Sequence, residues 1–182
     1  MTRNDFFTTC ASGICSCAGF ALLAEAPAQA QSSNRETDEL KGRLDFVNKR
    51  FATFINILKE ELDEPTRKRI IRRLGAECSK DYAALFDKYK GDLKGFLDAI
   101  QKQWVEKAEY DDKAGTIRIL DKSKACVCAF VKQGVTPREF CDCSLGWLNA
   151  AFSAVSARPV EVELEASHLR GDGHCAFRIR IP

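Results

Sequence analysis

The sequence predicts an α+β fold in which N-terminal helices precede a mostly antiparallel sheet that is interrupted by one helix. Two observations carry this. Apolar residues recur every three or four positions up to Trp104, and from residue 105 the period changes to two. Strong turn signals separate the alternating segments.

The helical part is expected over residues 36–104. Leu40, Leu44, Val47, Phe51, Phe54, Ile55, Leu58 and Leu62 make one apolar stripe. Asp63-Glu64-Pro65 stops it and starts a second helix, with Asp63 or Glu64 near the cap and Pro65 in the first turn. Gly75 is read as the end of that helix. Cys78, Tyr82, Leu85, Phe86 and Tyr89 mark a third apolar face. Gly91-Asp92 is a break, with Asp92 as N-cap of a fourth helix carrying Leu93, Phe96, Leu97, Ile100 and Trp104.

The sheet and cysteine-rich part is expected over residues 105–182. Residues 105–110 and 116–120 read as strands around a turn at 111–115. Leu145, Leu148, Ala151, Phe152 and Val155 give one more helix. Val160, Val162, Leu164 and Ala166 then alternate with Glu161, Glu163 and Glu165, and Cys175, Phe177, Ile179 and Ile181 alternate with Arg178 and Arg180. Gly171-Asp172-Gly173 between these runs reads as a hairpin turn.

Residues 1–30 read as a signal peptide ahead of a single domain over 31–182. Arg3 stands near the start, an apolar stretch runs from Cys10 to Leu23, and Ala28-Gln29-Ala30 fits a small-x-small cleavage site. Thr2-Arg3-Asn4-Asp5-Phe6-Phe7 is similar to a twin-arginine motif with Asn4 in place of the second arginine, so both the twin-arginine and the general secretory route stay open. The expected address is the periplasm or the extracellular space.

The formal charge of the chain is +2. Arg3 against Asp5 and Glu25 leaves the first thirty residues at −1 and the remainder at +3, too little to imply nucleic acid. The basic run Arg67 to Arg73 reads as a solvated helix face, or as a contact for an acidic ligand. There is no Gly-rich phosphate loop, no Ser/His/Asp set and no His-Glu-x-x-His motif.

Beyond the predicted cleavage site stand six cysteines: Cys78, Cys126, Cys128, Cys141, Cys143 and Cys175. Two Cys-x-Cys pairs, Cys126/Cys128 and Cys141/Cys143, suit zinc, which is borderline soft and takes four N or S ligands. The even count suits disulfides in an exported chain equally well, and free thiols are the third state. Cys141 and Cys143 precede a helix, whose dipole favours a thiolate, so either could be a ligand or a nucleophile. His168 and His174, the two histidines of the chain, flank the last turn, and Cys175 adjoins the second. Cys78 lies on a helical face, apart from this group in sequence. Trp147, Phe152 and Phe177 are candidate pocket residues; ordinary core is the alternative for each.

Phe140-Cys141-x-Cys143-Ser144-x-Gly146-Trp147, Arg158-Pro159-Val160, Glu165-x-Ser167, Arg170-Gly171-Asp172 and Cys175-x-Phe177-x-Ile179 together resemble the C-terminal part of 4-vinyl-reductase-like, hydrocarbon-binding domains. They resemble more closely a group of bacterial proteins with a Cys-x-Cys pair at each of these two places. A weaker similarity is to L-2-amino-thiazoline-4-carboxylate hydrolases. The resemblance covers residues 120–182. It implies zinc held by three cysteines and a glutamate beside an aromatic pocket. Carried across, the ligands fall on Cys141, Glu165, His168 (in place of a cysteine) and Cys175, with Cys143 able to replace Glu165. The first expectation is thus an exported module with a structural zinc beside an apolar pocket for a small organic ligand, with a homodimer as its possible assembly. The alternative is a hydrolase of a small ring or amide that uses a Cys nucleophile or metal-bound water.

Overall fold

The computed structural model describes residues 28–182, with side chains from Arg35 onward. The expected signal segment, with Cys10, Cys15 and Cys17, falls almost wholly outside the described residues. Residues Glu39–Pro182 form one compact unit, which is α+β as expected.

Helix α1 runs from Ala28 to Glu61. Its apolar stripe is covered only in part: Ile55 is buried, whereas Leu40, Leu44, Val47 and Phe54 stay exposed. Asp63 caps α2 (Glu64–Ser79) by accepting from Thr66 N at 2.6 Å, and Pro65 sits in the first turn, where its missing N–H costs nothing. Gly75 does not end this helix. It is buried where α2 crosses α5 (Asp142–Ser156), and a side chain there would overlap the Cys143 carbonyl oxygen. Gly146 of α5 meets the Arg72 carbonyl in the same way. The two glycines let the helix backbones touch, a packing role that sequence spacing alone does not distinguish from a stop signal.

The third apolar face is split into a 3-10 turn at Lys80–Tyr82 and the short α3 (Ala83–Lys88). Asp92 caps α4 (Leu93–Gln103) through Gly95 N at 2.9 Å. Strands β1 (Val105–Asp111) and β2 (Thr116–Asp121) are joined by a turn in which Asp111 Oδ1 accepts from Lys113 N and Ala114 N, both at 3.0 Å. Strands β3 (Glu161–Ala166) and β4 (Ala176–Arg180) complete a four-stranded antiparallel sheet of order β1-β2-β4-β3. The last two strands pair as predicted, but residues 167–175 between them hold a 3-10 turn at His168–Arg170 as well as the expected glycine turn.

One face of the sheet forms the core. Ile117, Ile119, Phe177 and Ile179 pack with Phe96, Leu97 and Ile100 of α4 and with Leu148, Ala151, Phe152 and Val155 of α5. On the other face, Arg118 and Arg178 pair with Glu165, and Arg180 pairs with Glu163. A second, smaller apolar cluster gathers Ile55, Ile71 and Phe140, with Cys128 and Cys143 against it.

Candidate metal centre

The period of strand β2 places Asp121 on the same face as the buried Ile117 and Ile119. A carboxylate on that face needs partners, and it finds them in the segment that opens β4. Asp121 N donates to Cys175 O at 2.9 Å, and Cys175 N donates to Asp121 Oδ1 at 3.0 Å. His168, buried in the 3-10 turn that follows β3, brings its Nε2 to 3.9 Å from the same Oδ1. Asp121, His168 and Cys175 each offer a ligand atom, and these atoms all lie within 4.8 Å of one another.

The surroundings hold this set in position. His168 Nε2 is 3.0 Å from Ser123 O; a carbonyl only accepts, so Nε2 carries the proton and Nδ1 the lone pair. Ser167 is tied to Asp172, which accepts its backbone N–H at 2.8 Å. Its hydroxyl is 3.1 Å from Cys141 Sγ. Gln133 Nε2 donates to His168 O at 3.2 Å and so pins the loop that carries Cys126 and Cys128.

His168 and Cys175, though not Asp121, also line a cavity of about 40 Å3 together with Cys126, Cys128, Cys141 and Cys143, with apolar walls that include Leu164 and Phe177. All six cysteines of the described chain are free thiols. Burial pushes the Cys143 and Cys175 thiols up to about 12. It also raises Cys126, Cys128 and Cys141 above the ordinary thiol value. The thiolate that a helix start was expected to favour at Cys143 is outweighed by loss of solvent. Without a cation these thiols hold their protons, and a divalent ion would replace them.

Of the residues that the sequence singled out, Cys126, Cys128, Cys141, Cys143, His168, Cys175 and Phe177 come together here. Glu165 does not. Strand parity turns it to the charged face, where Arg118 Nε is 2.5 Å away and Arg178 pairs with it as well. His174 is exposed beside a separate cleft with Lys107 and Glu109. Trp147 packs edge-on against Tyr82, Phe86 and Trp104, and Phe152 against Phe96, so both belong to the core rather than to the cavity. Sequence reasoning missed Asp121, although its parity with Ile117 and Ile119 was the signal. It also set Cys78 apart, yet the thiols of Cys143 and Cys128 both feel Cys78 as a neighbour.

Among the described residues, no helix is long and apolar enough to cross a membrane. No protein-family model and no curated protein sequence matches the chain. Solved structures do share its fold. The phenol-responsive sensory domain of the transcription activator PoxR, solved with phenol, aligns with a TM-score of 0.50 at 14% identity, covering 74% of each chain. Subunit 3 of a trafficking protein particle complex from Naegleria fowleri, covalently bound to palmitic acid, aligns with a TM-score of 0.50 at 12% identity, covering 78% of this chain and 96% of that one.

Proposed function

We propose that this chain is an exported binding domain in which a zinc ion is held at the end of the sheet, next to a site for a small organic ligand. The observation that carries the metal is the convergence of Asp121, His168 and Cys175 within 4.8 Å. Carboxylate, imidazole and thiolate are all zinc donors. Cys126 and Cys141 line the same cavity, and either can complete a tetrahedral set. His168 Nε2, which faces Asp121 at 3.9 Å, would exchange its hydrogen bond to Ser123 O for the ion.

The organic ligand is supported by the fold, since the two structural relatives were solved with phenol and with palmitic acid. It is not accommodated in the thiol-lined cavity, because about 40 Å3 is far below the ~150 Å3 that holds benzene in an engineered cavity. A cleft of about 670 Å3 that shares His168 and Leu169 with the metal region has the volume for it. Its walls include Asn56, Lys59, Arg138 and Glu139, so this reading favours a polar small molecule.

The second reading is a hydrolase using metal-bound water. It draws on the fact that the converged set has three members, the number that leaves a catalytic zinc one open position. A Cys nucleophile is disfavoured, since burial holds the candidate thiols protonated at neutral pH. Metal analysis of protein purified without chelator tests the proposal. Bound zinc that is lost in Cys175→Ser supports it; metal-free protein with intact disulfides overturns it. Zinc that exchanges its water for a thiol-free inhibitor such as cyanide would move the second reading to first place.

A further inference from the structure

The first centre leaves most of the thiols unused. A tetrahedral ion on Asp121, His168 and Cys175 takes one more ligand, and Cys78, Cys128 and Cys143 have no part in it. These three come from separate elements. Cys78 is in the last turn of α2, Cys128 in the loop after β2, and Cys143 in the first turn of α5. The crossing of α2 and α5 brings Cys78 towards Cys143, and Cys128 shares a cavity with Cys143. Gly75 abuts the Cys143 carbonyl, and Cys78 lies three residues further along the same helix, hence on the same face. Arg72 Nε, 3.2 Å from Asp142 Oδ1, ties the same two helices together at the crossing. Cys128 and Cys143 pack on the one cluster of Ile55, Ile71 and Phe140, and both line the thiol cavity.

We propose that Cys78, Cys128 and Cys143 form a second site for a thiophilic metal ion, with Cys126, which lines the same cavity, as the thiolate placed to serve either centre. The second site rests on the reading of the first as a metal centre. The neighbour relations agree with it: each of Cys128 and Cys143 is perturbed by Cys78 and by Cys126, while Cys175 is perturbed by Cys126 and Cys141. Cys126 is the thiol common to both groups. The three sulfurs are not gathered within 4.8 Å of one another in the metal-free fold, so binding requires the side chains to turn toward a common point, and each bound thiol gives up its proton to solvent. Three half-buried thiols could instead serve as small apolar packing groups. The two roles differ in what a serine replacement does to metal content.

The test is a cobalt(II) titration of the full chain under anaerobic conditions, followed by the near-ultraviolet sulfur-to-cobalt charge-transfer absorption, with zinc stoichiometry measured in parallel. The wild type should saturate at two equivalents. Cys78→Ser and Cys128→Ser should each saturate at one, with native circular dichroism; the loop variant guards against a folding failure on α2. Cys175→Ser should also saturate at one and keep the Cys78-dependent absorption. One equivalent in the wild type, unchanged in Cys78→Ser, would overturn the second site and leave the first intact. A Cys78–Cys143 disulfide in freshly purified protein would overturn the second site alone, and no thiolate-bound metal in any form would overturn both.

Discussion

Gly75 of α2 and Cys143 of α5 meet backbone to backbone, so that a Cβ on the glycine would overlap the Cys143 carbonyl oxygen and come within 2.9 Å of Trp147 N. Neither neighbour is the movable end of a side chain. Gly75→Ala should therefore destabilise the domain by about 3 kcal/mol, at the upper end of overpacking costs. Gly146→Ala, opposed by the Arg72 backbone, should match it. Gly42→Ala, in open space on α1, should be neutral or stabilising by up to ~1 kcal/mol. Urea unfolding of the three variants checks the ranking; a Gly75→Ala variant as stable as wild type would refute the crossing.

The pH dependence should invert on metal binding. In the metal-free fold, Cys143 and Cys175 are raised from 9.0 to about 12. A raised acid favours the folded state below its unfolded value and loses that contribution as pH rises through the folded one. Metal-free protein should therefore weaken between about pH 9 and pH 12. Zinc-loaded protein should weaken in the opposite direction, as acid returns protons to its ligands. Thermal unfolding from pH 6 to pH 11, with zinc and with chelator, checks both signs. Parallel profiles would count against thiolate ligation.

At the first centre, Cys175→Ser and His168→Ala should each lose zinc, and Cys141→Ser should lose it if Cys141 is the fourth ligand. Glu165→Gln should keep zinc. Its two arginine partners are about half exposed, so solvent screens the ion pairs and their loss should cost about 1 kcal/mol. Zinc loss in Glu165→Gln would restore the ligand set that the family resemblance implies.

Asp121 should separate charge from scaffolding. Asp121→Asn keeps an acceptor for Cys175 N and should stay folded, with zinc affinity down at least tenfold. Asp121→Ala removes that acceptor too, and should lower both affinity and stability, the latter by about 1–2 kcal/mol. Calorimetric titration with zinc and thermal unfolding distinguish the two; equal affinities in wild type and Asp121→Asn would remove Asp121 from the set.

Export makes a separate expectation. N-terminal sequencing of the exported fraction should find a start near Gln31. A start at Met1 would return residues 1–30 to the mature chain.

How much of this was legible in the sequence depends on the range of the interaction. Caps are local, so Asp63, Pro65 and Asp92 read correctly from their neighbours alone. Strand parity is local too, and it placed Phe177 and Ile179 in the core. Gly75 was misread because a helix crossing and a helix stop both call for a residue without a side chain, and only the partner helix decides. Cys78 was set apart because forty-eight or more residues separate it from the other thiols, a distance that the α2–α5 crossing cancels. Glu165 came from the resemblance against the parity of its own strand, and parity prevailed.

The strand order has a consequence for timing. Strand β4 comes last of the four in the chain but sits between β2 and β3, so neither neighbour has its full complement of pairs until β4 inserts. The pairing of β2 with β4 closes a loop that spans the whole of α5, a slow, non-local step. Asp121 and Cys175 lie on the two sides of that seam, at the end where it closes. An ion at the first proposed centre would therefore find its ligands assembled only after the slow step is over. It should leave the folding rate unchanged and lengthen the lifetime of the folded state, acting as a latch on a closed seam rather than as a nucleus.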